Sequence, residues 1–96
     1  DNISSIITEL SEKEDSKVDL VTVLIEANNI FDLAESKALI TGKSSTISSA
    51  IVYLAIRKKI KNFPLLDILE ISNASDNTVR RASKSINETL DLGIKP

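Results

Sequence analysis

Five side chains near the end of the chain have the types and the spacing to bind double-stranded DNA. They are Asn77, Thr78, Arg80, Arg81 and Lys84, which fall along one side of a helix at 3.6 residues per turn. An arginine at the start of a helix in the major groove can donate two hydrogen bonds to guanine O6 and N7. The pattern therefore predicts base recognition by Arg80, and the alternative is a solvated arginine on a surface helix.

The neighbours of Arg80 have related chemistry. Asn77 and Thr78 could contact base edges or a phosphate, and the alternative is that they only cap and solvate the first turn. Arg81 and Lys84 are expected to meet phosphates, which sets affinity and register but not sequence preference. For these two the alternative is a solvated helix face.

Basic residues elsewhere give weaker signals. Lys43 lies in a Gly-Lys-Ser sequence, but the G-x-x-x-x-G-K-[ST] frame of a phosphate-binding loop is absent. It is kept as a candidate DNA contact. Lys58, Lys59 and Lys61 lie at the end of a long apolar segment that is predicted to be helical. Cations stabilise the negative C-terminal end of a helix, so these lysines need no ligand to explain them.

Two helices joined by a tight turn are predicted between Pro64 and Leu90, the form of a helix-turn-helix. Pro64 suits the first turn of a helix, and Asn73 and Ala74 are expected in the turn. Ser75 is a good N-cap for the second helix, with Asp76 favourable beside it. The inward faces are formed by Leu65, Ile68 and Leu69 in the first helix and by Val79, Ala82, Ile86 and Leu90 in the second.

A central helix is predicted from Ile47 to Ile60, because its apolar residues cover nearly the whole circumference. Before it, ITGKSST is expected to be a loop, with the next N-cap among Ser44, Ser45 and Thr46. After the last helix, Asp91 to Pro96 is expected to be a tail.

The first half of the chain predicts two more helices. The first has a stripe of Ile3, Ile6, Ile7 and Leu10, followed by a polar connection at 11–17. The second should run from Val18 to about residue 31, and Ala34, Lys37 and Ala38 either extend it or form a short extra helix before the loop ITGKSST. Its broad inward face is predicted to hold Leu20, Val21, Leu24, Ile25, Ala27 and Phe31.

Composition excludes several classes of function. The 96 residues suit one domain, and the start at Asp1 suggests a piece of a longer protein. The sequence has no Cys and no His, which removes the usual zinc sites and histidine catalysis, so no cofactor, no metal and no enzyme activity are expected. The acid pairs Asp67/Glu70 and Glu12/Asp15 lie on polar helix faces. No apolar run is long enough to cross a membrane.

The charge is unevenly distributed along the chain. Residues 1–42 hold nine acidic and three basic residues, a net charge of −6, whereas residues 43–96 hold five acidic and nine basic residues, a net charge of +4. This asymmetry is typical of a domain with one DNA-facing side, although it can also arise by chance on a small surface.

These residues together resemble a cyclin-like repeat of the family of transcription initiation factor IIB and its archaeal counterpart. In that family a G-[KR]-S loop precedes a helix with an AAAxYIA-like core, here Gly42-Lys43-Ser44 and then Ser49 to Ala55. The second helix of its helix-turn-helix starts near a TVR triplet, here Thr78-Val79-Arg80. The resemblance covers about residues 42–92. The ending LDLGIKP is more similar to the end of a second repeat than to the joint between two repeats.

The resemblance implies an all-α fold of five helices with a buried third helix and a C-terminal helix-turn-helix. It also implies a single cyclin-like domain over 1–96, cut from a two-repeat protein, in which Arg80 occupies the place of the family's base-contacting arginine. The implied partners are promoter DNA, the TATA-binding protein and RNA polymerase. A monomer is expected, in the cytoplasm of an archaeon or the nucleus of a eukaryote. The alternative is a cyclin-like module that binds proteins without touching DNA, which the acidic first half and Asn77 favour.

Overall fold

Five α-helices account for most of the residues that the computed structural model describes, which are 2–13, 20–37, 44–59 and 65–94. The described part contains no strand, which confirms the predicted all-α fold with five helices. None of the described helices is long and apolar enough to cross a membrane. In chain order the helices are α1 Asn2–Lys13, α2 Leu20–Ser36, α3 Ser44–Lys59, α4 Leu65–Ser72 and α5 Asp76–Leu90.

The centre of the fold is α3, which packs against each of the other four helices. Every residue from Ile47 to Ile56 is buried, including two serines. A helix can be covered on all sides only if its whole circumference is apolar or small, and this segment meets that condition. The predicted central helix is confirmed, but it begins at Ser44, so the loop and the N-cap predicted at Ser44, Ser45 and Thr46 were wrong for these three residues. The rest of the loop predicted over ITGKSST lies outside the described residues.

The helix α1 buries the predicted stripe of Ile3, Ile6, Ile7 and Leu10. It continues to Lys13, so the connection predicted at 11–17 was wrong for its first three residues. Helix boundaries are set partly by backbone hydrogen bonds that polar residues also form, and the apolar pattern cannot locate them. The rest of that connection lies outside the described residues.

The helix α2 differs from its prediction in length and in orientation. It continues to Ser36 instead of ending near residue 31, because Ala34 extends the buried face by one more turn. This decides the question at 32–36 in favour of an extension, while 38–43 lie outside the described residues. The buried face itself holds Val23, Ala27, Ile30 and Ala34, whereas Val21 and Ile25 are exposed.

The turn between α4 and α5 starts at Asn73, whose φ of 59° is left-handed. Its amide donates to the carbonyl of Leu69 over 2.8 Å, which is the single hydrogen bond of an αL helix end. Asparagine is one of the few residues that adopt this conformation readily. The buried stripe of Leu65, Ile68 and Leu69 is confirmed, and Pro64 lies outside the described residues.

The chain after α5 folds back onto the core. Asp91 is left-handed, and the amides of Asp91 and Leu92 donate to the carbonyls of Glu88 and Asn87 over 3.3 and 3.1 Å, the two hydrogen bonds of a Schellman motif. Ile94 is buried in the core. The prediction of a tail from Asp91 onward was therefore wrong for residues 91–94.

Candidate nucleic-acid interface

The helix α5 is strongly amphipathic, with a narrow buried face. Val79, Ser83 and Ile86 are buried, and Ala82 and Leu90 are half-buried, so the predicted inward face is confirmed with one addition. The addition is Ser83, whose hydroxyl donates to the carbonyl of Val79 over 2.8 Å and is thereby satisfied. The spacing of four residues from Val79 indicates that Ser83 lies on the buried face, but serine is a polar residue and was therefore not predicted there.

The opposite face of α5 is open to solvent and carries the five DNA contacts that were predicted on this helix. Their side chains are exposed without exception. At 3.6 residues per turn, four of them fall within an arc of roughly 100°, and Thr78 lies about 60° beyond Arg81. The structure therefore brings together Asn77, Thr78, Arg80, Arg81 and Lys84.

Arg80 is held by a carboxylate one turn earlier in the helix. Its Nε donates to Oδ1 of Asp76, and both side chains remain more than half exposed, at 58% and 55%. Residues at i and i+4 are neighbours on a helix surface, which explains the contact. The sequence predicts that Asp76 stabilises the start of the helix, and it does not show this contact with Arg80.

The other two cations of this face have no such partner. Within the described residues, neither Arg81 nor Lys84 forms an ion pair with a carboxylate. The residue four positions before Arg81 is Asn77, which is neutral. Neither positive charge is therefore held in an ion pair by a carboxylate of α5.

The start of α5 has the predicted N-cap residue but not the predicted hydrogen bond. Ser75 is extended, with φ −76° and ψ 133°, and its carbonyl accepts from the amide of Val79 over 2.9 Å. Its hydroxyl forms no capping hydrogen bond. The cap position is confirmed, and its side-chain contribution is absent.

The basic end of α3 is largely engaged in contacts within the protein. Lys58 Nζ lies 2.6 Å from Oε1 of Glu26 on α2, and the guanidinium of Arg57 lies 5.6 Å from the centre of the Tyr53 ring. Lys59 is exposed. These contacts agree with a structural role for Lys58, while Lys43 and Lys61 lie outside the described residues.

A second exposed feature lies on the outer side of α2. Val21, Ile25 and Leu33 are exposed to 65, 57 and 48%, and Asp32 and Glu35 are exposed beside them. The helix has two apolar stripes, and only one of them faces the core. The broad inward face predicted for α2 was therefore wrong for Val21 and Ile25.

The model of one protein family matches most of the chain. It is described as the transcription factor TFIIB repeat, and it matches residues 4–89. This range includes α1 from its third residue, all of α2, α3 and α4, and α5 as far as its last residue but one. Comparison with curated proteins and with solved structures gave no match.

Proposed function

The chain belongs to the family of transcription factor TFIIB repeats, and from this premise we propose that it is a promoter-binding repeat of a general transcription initiation factor. It contacts double-stranded DNA through α5, laid in the major groove. It acts on a promoter already held by the TATA-binding protein, helps to recruit RNA polymerase, and has no enzymatic role. Its place as the second of two repeats in a longer, intracellular protein remains part of the proposal.

The observation that carries the proposal is the exposed polar face of α5. Arg80, Arg81 and Lys84 lie on it together, and no part of the described core needs them. Arginine can donate two hydrogen bonds to guanine, and lysine binds phosphate as a point charge. Asn77 and Thr78 add side chains that suit base edges or phosphates.

Charge supports a role that depends on a second protein. One helix supplies few phosphate contacts, and the acidic first half of the chain repels DNA. We therefore expect weak binding by the isolated domain and much tighter binding to a complex of the TATA-binding protein with promoter DNA.

A titration at two salt concentrations tests the proposal. The 96-residue chain is titrated against a labelled promoter duplex, with and without the TATA-binding protein, as wild type and as the variants Arg80→Ala and Lys84→Ala. Arg80→Ala should relax the sequence preference, because it removes a base contact. Lys84→Ala should weaken binding to all sequences and lower the salt slope by about one phosphate contact.

The control variant is Lys37→Ala, which removes the same charge from an exposed residue at the end of α2. It should leave both the affinity and the salt slope nearly unchanged. Binding that does not depend on salt, or that is indifferent to Arg80→Ala and Lys84→Ala, contradicts the proposal.

The outer side of α2 favours the second candidate, a protein-binding module without DNA contacts. Val21 and Ile25 are large apolar residues one turn apart, and both are more than half exposed. If this candidate is right, Val21→Ser and Ile25→Ser weaken binding to the TATA-binding protein in the absence of DNA, and Arg80→Ala does not. If the DNA-binding proposal is right, Arg80→Ala weakens binding to the promoter complex, and Val21→Ser and Ile25→Ser weaken it less.

A further inference from the structure

Asp76 and Arg80 form a contact on the DNA-facing side of α5 that the folded domain hardly needs. An exposed i, i+4 ion pair contributes little to stability, and both side chains here are more than half exposed. A carboxylate on this face also repels phosphate. Helix geometry accounts for the contact, and its position beside the predicted DNA contacts gives it a consequence for binding.

We propose that Asp76 is a positioning residue that aims the guanidinium of Arg80 at a guanine base. This inference rests on the proposed function and deepens it. Arginine has five N–H donors in a planar fork, and Asp76 accepts from only one of them, the Nε–H. The two terminal nitrogens remain available, and their outward N–H groups match the O6 and N7 atoms of guanine.

The pair also fixes a side chain that would otherwise be mobile. A free arginine loses rotamer freedom when it binds, which weakens binding by about two- to tenfold for one rotamer-rich side chain. Asp76 lies in the first turn of α5 and restrains Arg80 before DNA arrives. The contact therefore favours the one geometry in which guanine is bound.

The negative charge of Asp76 has a second effect, opposite in sign. Near a DNA backbone it repels phosphates wherever the guanine contact is not made. It should therefore lower the affinity for unrelated DNA while it raises the preference for the correct base. Arg81, with Asn77 in the equivalent position, lacks this arrangement and fits a phosphate contact.

The experiment uses the 96-residue chain with the TATA-binding protein and duplexes selected from a pool with a randomised block beside a TATA sequence. Each guanine of the selected duplex is replaced in turn by 7-deazaguanine, which keeps its base pairing but lacks the N7 acceptor. The ratio of the two dissociation constants measures the guanine contact. Because the same protein sample binds both duplexes, a partly unfolded variant still gives a valid ratio.

At one position, wild type should bind the 7-deazaguanine duplex about five- to tenfold more weakly, as expected for one of the two hydrogen bonds to guanine. Asp76→Asn should reduce that ratio to about twofold or less and raise the affinity for a random duplex several-fold. Arg80→Ala should reduce the ratio to about one. Adding Asp76→Asn to Arg80→Ala should not change the ratio further. Arg81→Ala should weaken binding to both duplexes by the same factor and leave the ratio unchanged.

Glu88→Gln is the matched control, because it removes one exposed negative charge from the same helix, three turns from Asp76. It should leave the ratio at its wild-type value. If Asp76→Asn also leaves the ratio unchanged, or if wild type binds without any preference for N7, the positioning role is overturned and the proposed function stands. If wild type does not bind the duplexes at all, both are overturned.

Discussion

At the scale of single residues, side chains with the same formal chemistry differ in what surrounds them. Arg80 and Arg81 are adjacent and exposed, yet only Arg80 has a carboxylate one turn earlier. The sequence was sufficient to place both on the exposed side of α5, because helical periodicity decides that. It could not show the ion pair, because the pairing depends on the rotamers that two flexible side chains adopt.

Asn87 is the residue whose role was hardest to foresee. Its side-chain amide donates to the carbonyl of Ile94, and its carbonyl oxygen accepts from the amide of Ile94 over 3.1 Å. In the sequence it is one more polar residue of an amphipathic helix. In the structure it fastens residues 91–94 to the core.

Asn87→Ala is therefore expected to destabilise the domain by about 1–3 kcal/mol, since it leaves partly buried backbone groups unpaired. The measurement is urea denaturation followed by circular dichroism. Thr89→Ala, at an exposed position of the same helix, should change the free energy of unfolding by less than about 0.5 kcal/mol. Equal effects of the two substitutions would show that the contact with Ile94 contributes nothing.

At the scale of the elements, the structure agrees with the sequence where a helix has one dominant stripe or none. The helix α1 has one stripe and α3 is apolar all round, and both were predicted with the correct burial. The helix α2 has two stripes, and periodicity cannot choose between them, because the choice depends on how α2 meets α3. The exposed apolar residues on the outer side of α2, which favour the second candidate function, could not be identified from the sequence.

The end of α5 allows two substitutions of opposite sign. Asp91 and Gly93 both have positive φ, at 53° and 69°. Gly93→Ala should destabilise the domain by about 1 kcal/mol because of its backbone conformation, since an added Cβ would meet no atom within 4 Å.

Asp91→Gly should stabilise the domain by a few tenths to about 1 kcal/mol, because it relieves the left-handed backbone and removes a carboxylate from the negative end of the helix. Asp91→Asn separates these effects, since it removes only the charge. Thermal unfolding measures all three variants. A loss of stability in Asp91→Gly would contradict the assignment of this helix end.

At the scale of the whole molecule, four helices depend on one. Because α3 contacts all the other helices, a substitution in its buried face should destabilise the whole domain. Leu54 is fully buried in α3, and Leu54→Ala is expected to destabilise the domain by about 2–5 kcal/mol.

Val21→Ala is the control, and it should change the free energy of unfolding by less than about 0.5 kcal/mol, because Val21 is mostly exposed. Chemical denaturation of both variants gives the comparison. A small effect of Leu54→Ala would mean that the core can collapse around the missing atoms.

The position of Tyr53 gives the molecule a built-in optical signal. It is the only tyrosine of the chain, there is no tryptophan, and its ring is buried in α3 beneath the guanidinium of Arg57. Its ultraviolet absorption and fluorescence therefore come from the central helix and not from α5 itself. Emission from Tyr53 can report whether the core is intact while DNA is added, without any dye, and a change in it on binding would mean that the event at the surface reaches the central helix.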